Sequence, residues 1–92
     1  MRPVYRRAGA LAASETRYIA LGLAAASVSV IVNNSTNVTV SITNSDTVGA
    51  SSLWSVLTLT SNGASMAGPI TGFKLVANAS GGSFQILATH EK

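Results

Sequence analysis

The sequence predicts an all-β fold: a small antiparallel β-sandwich of about six strands, with an extended basic N-terminal arm. Three observations predict it. Apolar and polar residues alternate in short runs, as in "NVTVSIT" over 37–43. There Val38, Val40 and Ile42 fall on one side of an extended chain and Thr39, Ser41 and Thr43 on the other. Polar connections rich in Gly, Asn and Ser separate these runs at regular intervals. Finally, Arg2, Arg6, Arg7 and Arg17 crowd the first 17 positions, and only Lys74 and Lys92 are cationic beyond them.

Residues 1–15 are expected to form the arm. Pro3 blocks an early helical hydrogen bond, and Gly9 with its flanking alanines offers no anchoring bulk. Residues 16–92 then form the β domain, with strands expected at 16–23, 27–33, 37–43, 53–60, 70–77 and 83–89. "NNST" (33–36) separates the second strand from the third, and "NSD" (44–46) opens a longer connection through Gly49 to Ser52. "SNG" (61–63) carries an Asn-Gly pair suited to positive φ. "GP" (68–69) leads into the fifth strand, and "ASGG" (79–82) divides the fifth from the sixth.

The alternation assigns the faces. Val28, Val30 and Val32 form one inward set, and Val38, Val40 and Ile42 a second. Leu57 and Leu59 are expected inside with Leu53, as are Phe73, Leu75 and Ala77 and then Phe84, Ile86 and Ala88. Ile31, Trp54, Val56, Val76 and Leu87 fall out of phase with these sets. Either twist and bulges bury them in the same core, or some of them form a patch between subunits. Trp54 is the strongest interface candidate among them, because Trp is enriched at interface anchors.

The core is thin. A chain of 92 residues buries only about 60–65% of its unfolded surface. There is no cysteine to add a disulfide, and aromatic residues are 5% of the chain. Charged residues are 10%, against about 25% in ordinary soluble domains. Natural sheets guard open edges with charge or proline, and Lys74 is the only charge within the expected strands after Arg17. Such a sheet is expected to work inside an ordered assembly, as a homo-oligomer or against other subunits.

No enzymatic activity is expected. The acids are Glu15, Asp46 and Glu91, too scattered for a carboxylate pair. His90 is the only histidine and lies two residues from the C-terminus, with no nucleophile elbow to complete a triad. One His and no Cys leave no metal-ligand set, and no cofactor motif is present. "NASGGS" (78–83) joins two strands and lacks the Lys-Ser/Thr of a phosphate loop. The apolar run over 18–32 is 15 residues, short of the ~20 that cross a bilayer as a helix, so no membrane partner is expected. Glu15 and Arg17 also interrupt a signal-peptide pattern.

The arm is either a solvated tail or a docking extension. Arg2, Arg6, Arg7 and Arg17 supply planar forks that bind carboxylate or phosphate, and Tyr5 could stack. Aromatic residues are too few for a single-strand nucleic-acid platform, so a protein neighbour is the expected partner.

Four segments between 36 and 88 then follow a pattern: "NVTVSITNSD", the Trp-bearing "LWSVLTLTSNG", "GPITGFKLVANASGG" and "SFQILATHE". This order resembles the small β-sandwich virion proteins of tailed bacteriophages, over a little over half the chain. The resemblance carries no catalytic residues. It implies a structural protein of the virion, most of all a capsid decoration or cement protein bound to the major capsid protein or other virion proteins. A tail, neck or fibre component, or a host- or glycan-binding module, is the alternative.

Overall fold

The computed structural model describes residues 4–50 and 52–89. They hold six strands and no helix: β1 (Val4–Leu11), β2 (Thr16–Val32), β3 (Val38–Thr43), β4 (Ser55–Leu57), β5 (Gly63–Ala77) and β6 (Gly82–Thr89). The all-β expectation therefore holds. All pairings are antiparallel, and the strands form one continuous sheet in the order β1-β6-β2-β5-β3-β4.

Two expected strands, 16–23 and 27–33, are one strand of 17 residues. At about 3.3 Å per residue β2 would run well over 50 Å if straight. The longest dimension of the molecule is 38 Å, so β2 must bend. The bend lies where the register against β5 shifts, between Ala20 and Ala25 and again between Ala25 and Ser27. Gly22 sits there with φ 77°, a conformation that costs a residue without Cβ nothing.

The bend divides the sheet. On one side, residues 16–20 of β2 pair with the C-terminal part of β5, which pairs with β3, which pairs with β4. On the other, residues 25–32 of β2 lie between the N-terminal part of β5 and β6, with β1 outside β6. Both halves feed one buried cluster. Ile19, Val38, Val40, Phe73 and Leu75 come from the first, and Val28, Val30, Val32, Phe84 and Ile86 from the second. Contact between the halves is close: a Cβ added at Gly82 of β6 would stand 2.5 Å from Val38 Cγ2 of β3.

Residues 4–11, expected in an arm, form β1 instead. The strand pairs with β6 from Val4 opposite Thr89 to Leu11 opposite Gly82. Leu11 is buried and Tyr5 packs on the core, so this segment belongs to the domain. Its Ala-Gly-Ala centre reads as unanchored because β6 supplies the anchoring through the backbone ladder. Leu53, expected inside, is 87% exposed, because the chain leaves β3 and crosses the surface before β4 begins at Ser55. The hairpin before β5 also differs in detail. Its positive-φ pair is Ser61 and Asn62 (52° and 69°), and Gly63 is the first residue of β5.

Candidate functional site

Each half of the sheet has an outer face, and the two are treated differently. On the half containing β3, the chain from Asn44 to Trp54 folds back over the sheet. Val48 rests on Gly72, and the Thr71 hydroxyl donates to Thr43 O and Ser45 O (3.2 and 2.7 Å). Trp54 lies over the same face. Its indole N–H donates to Gly49 O (3.1 Å), and its ring lies 5.8 Å from that of Tyr18 and 5.6 Å from Lys74 Nζ. Ser41 and Thr43 point outward in phase, yet are buried beneath this segment. Trp54 is half-buried and engaged within the chain.

Among the described residues, none forms such a cover over the outer face of the other half. Its rows follow from the register. Arg6 stands opposite Leu87, which is opposite Ser29, which is opposite Ser65. Ala8, Gln85, Ile31 and Gly63 form the next row. Hydroxyl pairs tie the strands across this face: Ser27 Oγ to Thr89 Oγ1 at 2.7 Å and Ser29 Oγ to Ser65 Oγ at 3.0 Å. Beside them Ile31 is 56% exposed and Leu87 41%. Of the five out-of-phase residues, these two and Val56 (71% exposed) stand in solvent, whereas Trp54 and Val76 are half-buried. Alternation marks such residues but is silent on what covers them.

β1 is the border of this face and ends the sheet. Arg6 and Arg7 are both exposed on it. Arg6 shares the outer face with Leu87, and Arg7 shares the phase of buried Ile86. Tyr5, opposite Ala88, packs half-buried against the core. A charge pointing along the inward phase of an edge strand discourages indiscriminate strand pairing.

Arg17 has a different task. It is half-buried, and its guanidinium lies over the Phe84 ring at 5.8 Å from the centroid. A methyl group at Gly9 would sit 3.3 Å from Arg17 Nη1 and 3.2 Å from Phe84 Cζ, so the arginine reaches from one half of the sheet to β1 on the other. Glu15 holds it there through Nη2 (2.7 Å) and Nε (2.9 Å). The Glu15 carboxylate also accepts the Ala12 N–H at 2.7 Å. That backbone hydrogen bond, and after it the Arg17 hydrogen bond, hold its pKa below the ordinary value.

Of the residues singled out from sequence, Tyr5, Arg6 and Arg7 share one edge strand, Arg17 braces it from within, and Trp54 belongs to the other half of the sheet. Arg2 lies outside the described residues, as do His90 and Glu91. Among the described residues no three of His, Cys, Asp and Glu gather in one place, and no helix is long and apolar enough to cross a membrane. A surface depression of about 350 Å³ beside Val48 and Thr71 is lined by one carboxylate, Asp46, and otherwise by small or apolar residues. No family model matches the chain, and neither a curated protein nor a solved structure matches it.

Proposed function

We propose that this chain is a non-enzymatic structural protein of a virion, a capsid decoration or cement protein that binds neighbouring subunits through its edge strand and open face. The observation that carries the assembly role is the face bordered by β1. Ile31 and Leu87 stand in solvent among hydroxyl and alanine side chains, beside an open strand edge with two exposed arginines. An apolar patch of this kind beside an open strand edge is what a subunit contact uses. The virion setting rests on the pattern over 36–88 and its resemblance to small phage structural proteins.

In this reading the bent sheet acts as a small β-sandwich whose two halves face each other over the shared core. One outer face is closed by the chain's own 44–54 segment, and the other closes only on a neighbour. Copies around a shell would then act together, each contact weak and the sum strong. A glycan-binding role at a fibre tip has less support, because the Trp54 ring is occupied by Tyr18 and Lys74 and offers no free stacking platform.

The test is the double substitution Ile31→Ser with Leu87→Ser. Exposed substitutions of this kind shift stability by no more than about 0.5 kcal/mol, so the fold should persist. Mass spectrometry of purified particles should find many copies of the wild-type chain and few or none of the variant. Equal occupancy of the two would refute the role of this face. A wild-type chain that stays a monomer without affinity for any particle component would refute the function.

A further inference from the structure

We infer that β1 is an acceptor for an acidic, extended segment of a partner protein, which adds to the sheet as a seventh, antiparallel strand beside Val4–Leu11. The inference rests on the assembly role proposed above and names the chemistry of the contact.

The edge is long enough, and no described strand fills it. β1 runs eight residues, and among the described residues it pairs only with β6. Every second residue of such a strand turns its N–H and C=O away from its neighbour, so β1 presents a row of backbone donors and acceptors. Strand addition uses that row for affinity and the flanking side chains for choice of partner.

The side chains select by charge. Arg6 and Arg7 are adjacent and exposed, one on each face of the strand. A strand laid beside β1 must place one residue opposite each, so two consecutive acids satisfy both arginines. Farther along the outer face Ala8 and Ala10 leave room for bulkier apolar residues at alternate positions of the partner. Leu87, next to Arg6 on β6, continues that apolar surface.

The same charges gain nothing from a second copy of this chain at this edge. A continuous sheet across two copies keeps like faces together, so residues of equal phase must pair. The two registers of that kind that pair the most residues set Arg7 opposite Arg7, where like charges directly opposite destabilise the pair, or Ala8 opposite Ala8, where Arg6 and Arg7 face Ala10 and Gly9 and find no carboxylate. Nucleic acid could use the arginines, but its phosphates have no use for a ladder of alternating N–H and C=O groups, nor for Leu87.

The experiment is a titration of the full ¹⁵N-labelled chain. One peptide matches β1 in length and carries alternating Val and Thr, with Val at the positions that face Ala8 and Ala10, followed by two consecutive glutamates that face Arg7 and Arg6. A second has glutamines in place of the glutamates, a third is N-methylated at alternate residues, and a single-stranded oligonucleotide is the last probe. The expected result is amide shifts concentrated over Val4–Leu11 with the glutamate peptide. The glutamine peptide should bind roughly three- to thirtyfold more weakly, as the loss of two exposed ion pairs implies. The N-methylated peptide should not bind, because it cannot complete the ladder. The double variant Arg6→Glu, Arg7→Glu should prefer a lysine version of the peptide, and Arg6→Gln with Arg7→Gln should lose discrimination altogether. Shifts centred elsewhere, equal affinity for the glutamate and glutamine peptides, or tighter binding of the oligonucleotide at the same salt would each overturn the inference. If the peptides fail while the chain is abundant on particles, the acceptor strand is wrong and the assembly role stands. If the chain is absent from particles and the peptides bind, the reverse holds.

Discussion

Replacing Gly72 with alanine tests why one outer face of the sheet is closed. Gly72 is buried on β5, opposite Ala20 of β2 and Thr43 of β3. A Cβ there would stand 2.6 and 2.7 Å from the two methyl carbons of Val48 and 2.9 Å from Ile19 O. Ile19 O belongs to the backbone of a paired strand and cannot retreat far. Val48 belongs to the 44–54 segment, which is held by a few side-chain bonds, so this segment should lift. Overpacking of this kind costs typically ~1–3 kcal/mol. For 92 residues the whole stability is about 5–14 kcal/mol, so the loss is a large share of it. At ~4–8 °C per kcal/mol for a domain of this size, a cost of about 2 kcal/mol lowers Tm by about 8–16 °C. The assay is thermal unfolding by circular dichroism, with the emission of Trp54, the only tryptophan, read on the native baseline. A lifted segment pulls the indole off Tyr18 and Lys74 and exposes it, so the emission should move to longer wavelength before any melting. Adding Val48→Ala removes the two methyl contacts but not the one with Ile19 O. Recovery should therefore be partial, with a coupling of about 0.5–2 kcal/mol between the sites. If Gly72→Ala melted with the wild type and left the emission unchanged, Val48 would not rest on β5 and the account of the closed face would fail.

Two further outcomes follow from the placement of β1 and its brace. Leu11→Ala should cost ~2–4 kcal/mol by urea denaturation, the range for a buried leucine in a core; a freely extended arm would lose nothing at that position. The Glu15 carboxyl has its folded pKa lowered by the Ala12 N–H and by Arg17, so its contribution is fully present above the unfolded value of about 4.3 and is lost as pH falls through the lower folded value. Melting temperatures of Glu15→Gln should thus depend less on pH between about 5 and 3 than those of the wild type, and parallel pH profiles would discard the brace.

The alternation of side chains made most of the interior legible. Val28, Val30 and Val32, the set from Val38 to Ile42, and the sets starting at Phe73 and Phe84 are all buried as their phase requires. These segments carry β-branched or large residues at every second position, so each declares its own buried face. The misplaced segments lack that bulk. β1 is Arg-Arg-Ala-Gly-Ala through its middle, and the N-terminal part of β5 is Gly-Ala-Ser-Met-Ala-Gly-Pro. Both are strands because β6 and β2 present paired backbones to them, and a neighbour's ladder leaves no mark in the residues that join it. The fusion of 16–23 with 27–33 was hidden for a related reason. Gly22 and the alanines after it read as a break, and they are a bend within an unbroken strand. As for the site, Arg6 and Arg7 were identifiable by charge and Ile31 and Leu87 by their phase. That they border one surface depends on β6 lying between β1 and β2, a pairing of residues far apart in the chain.

The contrast between the two outer faces bears on the assembly role proposed for this sheet. Outward-phased Ser, Thr and small residues line both. Ser41 and Thr43 are buried because the 44–54 segment is long enough to return across them, and Gly72 has no side chain to keep Val48 away. Ser27, Ser29 and Ser65 answer their exposure by pairing hydroxyls with each other and with Thr89, which satisfies polar groups without adding charge. A charged face would resist docking because each buried charge must be paired or desolvated at a cost of several kcal/mol. A fully apolar face would aggregate. Hydroxyls around Ile31 and Leu87, with the arginines confined to the border strand, leave a surface that tolerates water and can still be covered. In the proposed assembly the selectivity would lie at the edge, where a wrong strand meets two cations, and the adhesion on the face, where little has to be desolvated.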